Sequence, residues 1–194
     1  MLLDEILKHN DQFLNDAKYL NYEATKFPKK QMVVVSCMDA RLIELLPKAL
    51  DLHNGDAKII KNAGGIISHP FGSIMRSIVT AVYELNAEEI FIIGHHGCGM
   101  SQTNPKKTLQ KAIDRGTVTQ AVINTLEYAG IDLEKWLFGF DNVVDQIKNN
   151  IVLVRSHPLI PNDVPVHGLA ISPDTGQLDL IVDGYKEVSS NKYK

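Results

Sequence analysis

Two short segments of the chain carry the residue types and spacing needed for metal or proton chemistry. The apolar run Val33-Val34-Val35-Ser36 ends in Cys37-Met38-Asp39-Ala40-Arg41, and Ile92-Ile93-Gly94 ends in His95-His96-Gly97-Cys98-Gly99. Cys37 and Cys98 are the only two cysteines in the sequence. Zinc favours tetrahedral sites of thiolate and imidazole; structural sites use four protein ligands, and catalytic sites use three and keep one position open. His95 and Cys98 lie three apart on one tight loop, a spacing that lets both side chains converge on one ion, with His96 as an alternative imidazole. Cys37 has to be delivered by the fold. These three residues make a candidate zinc set with an open fourth position, which points to catalysis.

Asp39 and Arg41 fit that vacancy. Two apart in an extended segment, their side chains share a face and can pair. A zinc ion balanced by two thiolates and a neutral imidazole is a neutral centre that acidifies its water less than an all-histidine site, so help from neighbouring groups matters. Asp39, kept ionised by Arg41, can accept a hydrogen from a nucleophilic water or hydroxide; alternatively it binds the metal and closes the site.

The elements that must position these groups read as an α/β pattern. Strands are expected at 32–36, 57–61 and 89–94, the last almost wholly apolar as in a parallel strand buried on both faces. A helix at 71–85 carries Ile74, Ile78, Val79, Val82 and Leu85 on one face. Another begins at Leu42 and is expected to bend or restart at Pro47. Helical patterns recur near 105–114, 117–129 and 141–155. Segments 164–171 and 177–182 flank Ser172-Pro173-Asp174-Thr175-Gly176, a hairpin signal. Residues 2–20 form an amphipathic helix for the chain's own domain or a partner subunit, and the stretch after Glu187 is expected to fray. This order implies a mainly parallel sheet flanked by helices, with a C-terminal hairpin and an N-terminal helix. Ligands bind such sheets beyond the carboxyl ends of the strands. Cys37 to Arg41, Asn62 to Gly65 and His95 to Gly99 all fall there.

Composition narrows the setting. With 44% hydrophobic and 22% charged residues the chain is an ordinary globular sequence. A net charge of −3, with no basic run, gives no attraction to nucleic acid or acidic lipid. There is no apolar run long enough for a membrane span, and Asp4 and Glu5 stand where a secretory signal would be basic, so a soluble, reducing, cytoplasmic setting is expected. The length suits one domain: an N-terminal arm at 1–28, a zinc-binding core at 29–183 and a tail at 184–194.

Cys37-x-Asp39-x-Arg41 followed by His95-x-x-Cys98-Gly99 resembles the β-class carbonic anhydrases, specifically their smaller, prokaryotic-type branch. The likeness continues through Asn62-Ala63-Gly64-Gly65, the helix holding Ser73, Arg76 and Ser77, and the closing Val166-His167-Gly168-Leu169 and Thr175-Gly176 hairpin. It spans roughly residues 30–183. The resemblance implies that Cys37, His95 and Cys98 hold one zinc ion per subunit and that Asp39 and Arg41 form the catalytic pair. It favours His95 over His96 as ligand. It further implies reversible hydration of carbon dioxide to bicarbonate by zinc-bound hydroxide, and a homodimer or larger homo-oligomer on which the N-terminal helix packs across subunits. Lys61 stands where an arginine usually precedes Asn-Ala-Gly, and Ala40 where serine is common. Val34 replaces a tryptophan tied in some members to a regulatory bicarbonate site, so no such regulation is expected.

Plainer readings compete. Either cysteine alone is as well explained as a small buried hydrophobe, and an isolated Asp39–Arg41 pair as a surface salt bridge. Gly64 and Gly65 precede a helix but lack a nucleotide-binding glycine pattern, so they are read as tight backbone passage. His53, His157 and His167 are read as structural or exposed, as is His69, with proton relay as its minor alternative. Ile66 and Ile67 are candidates to shape a pocket for a linear, weakly polar substrate. The same site acting on carbonyl sulfide or carbon disulfide, or as a closed non-catalytic zinc module, are the rival functions.

Overall fold

Five strands form one sheet in the order β2-β1-β3-β4-β5, with β1 at Met32–Cys37, β2 at Ala57–Asn62, β3 at Glu89–His95, β4 at Val166–Ile171 and β5 at Leu178–Val182. The computed structural model describes residues 1–191. β2, β1, β3 and β4 run parallel, and β5 returns antiparallel to β4. The chain passes from β1 to β2 on one side, then crosses to β3 on the other. This reversal of strand order opens a crevice beyond the carboxyl ends of β1 and β3, where Cys37 and His95 are the last strand residues.

Alternation along β1 divides the core. Val33 and Val35 face the cluster built with Ile90, Ile92, Met75, Ile78, Ile147 and Ile151, covered by α3 (Ser73–Glu84) and α7 (Val143–Arg155). Val34 faces the opposite cluster with Leu42, Leu46 and Ile93, covered by α2 (Leu42–Ala49). All six residues of β1 are buried, which accounts for its nearly unbroken apolar run. α7 comes unusually close to the sheet because two strand residues lack side chains. A Cβ on Gly94 would sit 2.7 Å from Val143 Cγ2, and one on Gly168 would sit 2.6 Å from both Ile147 Cγ2 and Ile151 Cδ1.

Several elements differ from the sequence expectation. The N-terminal helix, α1, covers only Leu2–Asn15, because Ala17 adopts a left-handed conformation (φ 51°) and a short 3-10 turn follows at Lys18–Tyr22. None of its residues is buried. α2 runs through Pro47 as one helix rather than restarting there. The buried face of α3 is Met75, Ile78 and Ala81, with Ile74, Val79 and Val82 half-buried beside it. The helices α4 (Pro105–Asp114) and α5 (Gln120–Tyr128) are followed by α6 (Leu133–Leu137), a short helix that periodicity does not reveal. Of the stretch after Glu187 that was expected to fray, residues 188–191 continue α8 (Gly184–Asn191), which an Arg155–Glu187 ion pair ties to α7, and residues 192–194 lie outside the described residues. Among the described residues, no helix is long and apolar enough to cross a membrane.

The close approach of α7 generates a prediction. Gly94→Ala and Gly168→Ala should each lower unfolding free energy by roughly 1–3 kcal/mol through overpacking. Both press on Ile147, so the double variant should depart from additivity, read as the urea midpoint of each variant.

Candidate metal centre

Cys37 leaves the end of β1, His95 ends β3, and Cys98 stands on the turn that follows it. The two sulfurs are 3.8 Å apart, and Cys37 Sγ, Cys98 Sγ and a ring nitrogen of His95 all lie within 4.8 Å of one another. All three side chains are buried, His95 to 1% exposure. His95 Nδ1 lies 3.0 Å from the carbonyl oxygen of His96. A carbonyl only accepts, so Nδ1 carries the proton and Nε2 presents its lone pair. That Nε2 is buried with no hydrogen-bond partner. Two thiols and an orphaned imidazole lone pair converging in a buried site are the donor set that zinc takes, and a cation there would satisfy the atom the protein leaves bare.

The two sulfurs are not equivalent. Burial pushes the Cys37 thiol up, but contacts with His95, the backbone N–H groups of Asp39 and Gly64, and Cys98 outweigh it and bring it down to about 7. Burial, reinforced by the charge of Cys37, pushes Cys98 up to about 11. Cys37 is therefore the readier thiolate, and bound metal would deprotonate both.

Asp39 and Arg41 meet in a two-point pair. Arg41 Nη2 donates to Asp39 Oδ2 at 2.8 Å, and Arg41 Nε and backbone N both donate to Oδ1 at 3.0 Å. Arg41 Nη2 also donates to the Gly97 carbonyl at 3.1 Å, tying the pair to the loop that carries Cys98. Asp39 Oδ2 lies 3.8 Å from the free Nε2 of His95, so the carboxylate borders the cluster. The guanidinium holds the Asp39 carboxyl far below the usual carboxylate range.

The Gly64–Gly65 turn makes the tight backbone passage expected of it, and two supports around it escaped the sequence reading. Gly65, with φ +63°, packs so closely that a Cβ would lie 3.2 Å from Cys37 N. Its carbonyl accepts from Gln146 Nε2 at 3.1 Å and Asn150 Nδ2 at 2.8 Å, and Asn150 Oδ1 accepts from Ile67 N at 3.1 Å. These two buried amides of α7 thus hold the turn against the end of β1. Their signal is a pair of polar residues four apart within an otherwise apolar helical stripe. Lys61 is the second support: its Nζ donates to Cys37 O at 3.2 Å, with longer contacts at 3.4 Å to Leu42 O and Ser36 Oγ. It bridges both ends of the segment bearing Asp39 and Arg41. Its pKa is lowered by burial, against the opposing charges of Cys37 and Asp39.

Other candidates sit elsewhere. His96 turns to Asp179 on β5, 3.3 Å away, rather than joining the cluster. Exposed His69 accepts from Phe71 N at 3.0 Å, which occupies its Nδ1 locally. Ile67 is packed in the core beside half-buried Ile66, and both line one cavity. His157 and His167 are buried and His53 is exposed, as expected.

With this geometry in place, the likeness to known proteins becomes specific. Residues 32–178 match the family model described as carbonic anhydrase. The Bacillus subtilis (strain 168) protein YvdA, provisionally named a carbonic anhydrase, is 52% identical over 191 residues, covering 98% of this chain and 96% of its own. The crystal structure of β-carbonic anhydrase isoform I from Trichomonas vaginalis superposes with a TM-score of 0.87 at 35% identity, over 95% of this chain and 100% of that one. A carbon disulfide hydrolase of Acidithiobacillus thiooxidans is 28% identical over 178 residues, 86% of this chain and 80% of its own. The chain belongs to the β-carbonic anhydrase family.

Asn150→Ala removes both bonds to the turn and should cost about 2 kcal/mol of stability, measured by chemical denaturation. The pairing of Asp39 keeps its folded-state pKa below the unfolded value of about 3.9. Its stabilisation is therefore fully present above that value and is lost as pH falls towards the folded one. The stability advantage of wild type over Arg41→Gln should be constant from neutral pH to about 5 and shrink below that, read from denaturation midpoints across pH.

Proposed function

We propose that this protein hydrates carbon dioxide reversibly to bicarbonate with one zinc ion held by Cys37, His95 and Cys98. The observation that carries the reading is the buried, partnerless Nε2 of His95 facing two sulfurs, with a fixed carboxylate at their edge. When bound, zinc supplies a Lewis acid that makes water nucleophilic near neutral pH. The protein's own residues do the rest. The His96 carbonyl fixes the tautomer of His95, so that Nε2 stays a lone-pair donor. Asp39, ionised throughout the working range, accepts a hydrogen from the nucleophile and turns a lone pair towards the substrate carbon. Arg41 engages both carboxylate oxygens, which supports Asp39 as neighbour rather than ligand. Turning Asp39 onto the metal would mean giving up bonds to Arg41. The burial of all three ligands limits competing water and strengthens these interactions.

A homodimer or larger assembly fits the exposed apolar side chains of α1, where Leu2, Leu3, Ile6 and Leu7 are all more than half exposed. The relatives that hydrolyse carbon disulfide keep a second reading open on the same site, since that molecule is also linear and weakly polar.

Stopped-flow hydration on protein loaded with zinc tests the first reading. Cys98→Ser should lose stoichiometric zinc and turnover together. Asp39→Asn should keep zinc and lose roughly 10²–10⁴-fold in kcat. Unchanged turnover in Cys98→Ser would remove the cluster as catalyst. Hydrogen sulfide release from carbon disulfide, with no carbon dioxide hydration, would select the second reading.

A further inference from the structure

A cavity of about 240 Å³ lies along the first two turns of α3, with the chain just past the end of α7 forming part of its wall. Pro70, Phe71, Met75, Val79 and Leu159 make that wall mostly apolar, and no carboxylate side chain lines it. Only two of the lining side chains carry polar hydrogens, Arg76 and His157. The volume is below the roughly 300–1,000 Å³ of pockets that take drug-sized ligands, so a guest here is small.

His157 gives the cavity its polarity. The side chain is only 5% exposed, and its ring centroid stands 5.1 Å from that of Phe71. Its Nδ1 accepts from the backbone N–H of Leu159 at 3.2 Å. A backbone N–H only donates, so Nδ1 is bare and the ring proton sits on Nε2. Among the described residues that N–H meets no acceptor, yet Nε2 keeps accessible surface, unlike Nε2 of His95 and His167. Buried polar groups are almost always paired, and this donor belongs to a residue that lines an open space.

Arg76 stands on the same wall. Its guanidinium is exposed and, among the described residues, makes no ion pair or hydrogen bond, although it also borders the neighbouring cavity beside Ile60. The start of α3 adds to the positive field. Among the described residues, the N–H groups of Ser73, Ile74 and Met75 have no acceptor, and the helix has no side-chain cap. The N–H groups just before the helix are spent, since Phe71 N and Gly72 N both donate to His69.

The unspent side-chain groups are therefore both donors, one of them a cation, beside apolar walls. Cations are repelled there. A neutral alcohol meets His157 but leaves the guanidinium unused. Phosphate or sulfate meets both donors but must shed its hydration against apolar side chains. A dicarboxylate brings a second charge with no partner. A monocarboxylate on a small apolar body satisfies every group.

We propose that this cavity is a binding site for a small organic monocarboxylate. One carboxylate oxygen accepts from His157 Nε2, the other faces Arg76, and the hydrocarbon part rests on Phe71, Met75 and Val79. No lining residue belongs to the cysteine and histidine cluster or to its supports, so the site does not depend on the proposed reaction.

The test is a titration of the zinc-loaded protein with benzoate at constant pH and ionic strength, followed by amide and imidazole N–H chemical shifts. Saturable shifts are expected from Phe71 to Arg76, at Leu159 and at the His157 ring. Arg76→Gln should weaken that binding about tenfold with zinc content unchanged, and the exposed position should tolerate the change. Benzyl alcohol should also bind about tenfold more weakly, and benzylammonium should not saturate the site. Undiminished affinity in Arg76→Gln, or equal binding of benzyl alcohol, would overturn the proposal. So would shifts confined to the Cys37 and Cys98 segments, the pattern of a carboxylate on the metal. The absence of saturable shifts would overturn it too, and is the result expected if a second copy of the chain covers the cavity.

Discussion

The parallel pairing of β1 with β3 is the constraint on which the candidate centre depends. Register sets Ser36 opposite Ile93, so Cys37 and His95 finish their strands within one residue step of each other. Neither segment holds a metal site alone: one brings a single thiol, the other a thiol and an imidazole. The strand pairing is itself specified by burial. Val33 and Val35 must face the α3–α7 side while Val34 faces α2, and a slip of one residue would send all three to the wrong face. The energy that fixes the ligand geometry is thus mostly hydrophobic and lies below the site, in the body of the sheet.

A second layer turns proximity into a defined arrangement. The segment after β1 is held at its ends by Lys61, which bridges Cys37 O and Leu42 O, and across its middle by Arg41 reaching Gly97 O. The Gly64–Gly65 turn closes from the other side under the two amides of α7. These polar groups are buried or partly buried and nearly all engaged. Among the described residues, the open acceptors His95 Nε2, Asn62 Oδ1 and Gln146 Oε1 stand out against that background. The first faces the sulfurs.

The sequence made the strands, the strand-end clusters and the Cys37, His95, Cys98 grouping legible because each depends on local pattern. An apolar run ending in cysteine or histidine reads the same in the chain as in the sheet. What it did not show were long-range partners. Gln146 and Asn150 look like breaks in a helical stripe until Gly65 is seen more than eighty residues away in sequence. Lys61 was visible only as a departure from the family's usual arginine, with no indication of which carbonyls it would bridge. Helix ends failed for similar reasons: the left-handed Ala17 cuts α1 short, and α6 is too short for periodicity. Pro47 sits inside α2 because α2 packs Leu42 and Leu46 against the sheet, so tertiary burial overrides a local preference to stop.

Zinc K-edge X-ray absorption on the protein as purified tests the central claim most directly. The account predicts one zinc per chain with two sulfur scatterers at about 2.3 Å, one imidazole nitrogen at about 2.0–2.1 Å and one further light atom. A shell with one sulfur or four, no imidazole scattering, or a protein that takes up no zinc would contradict it.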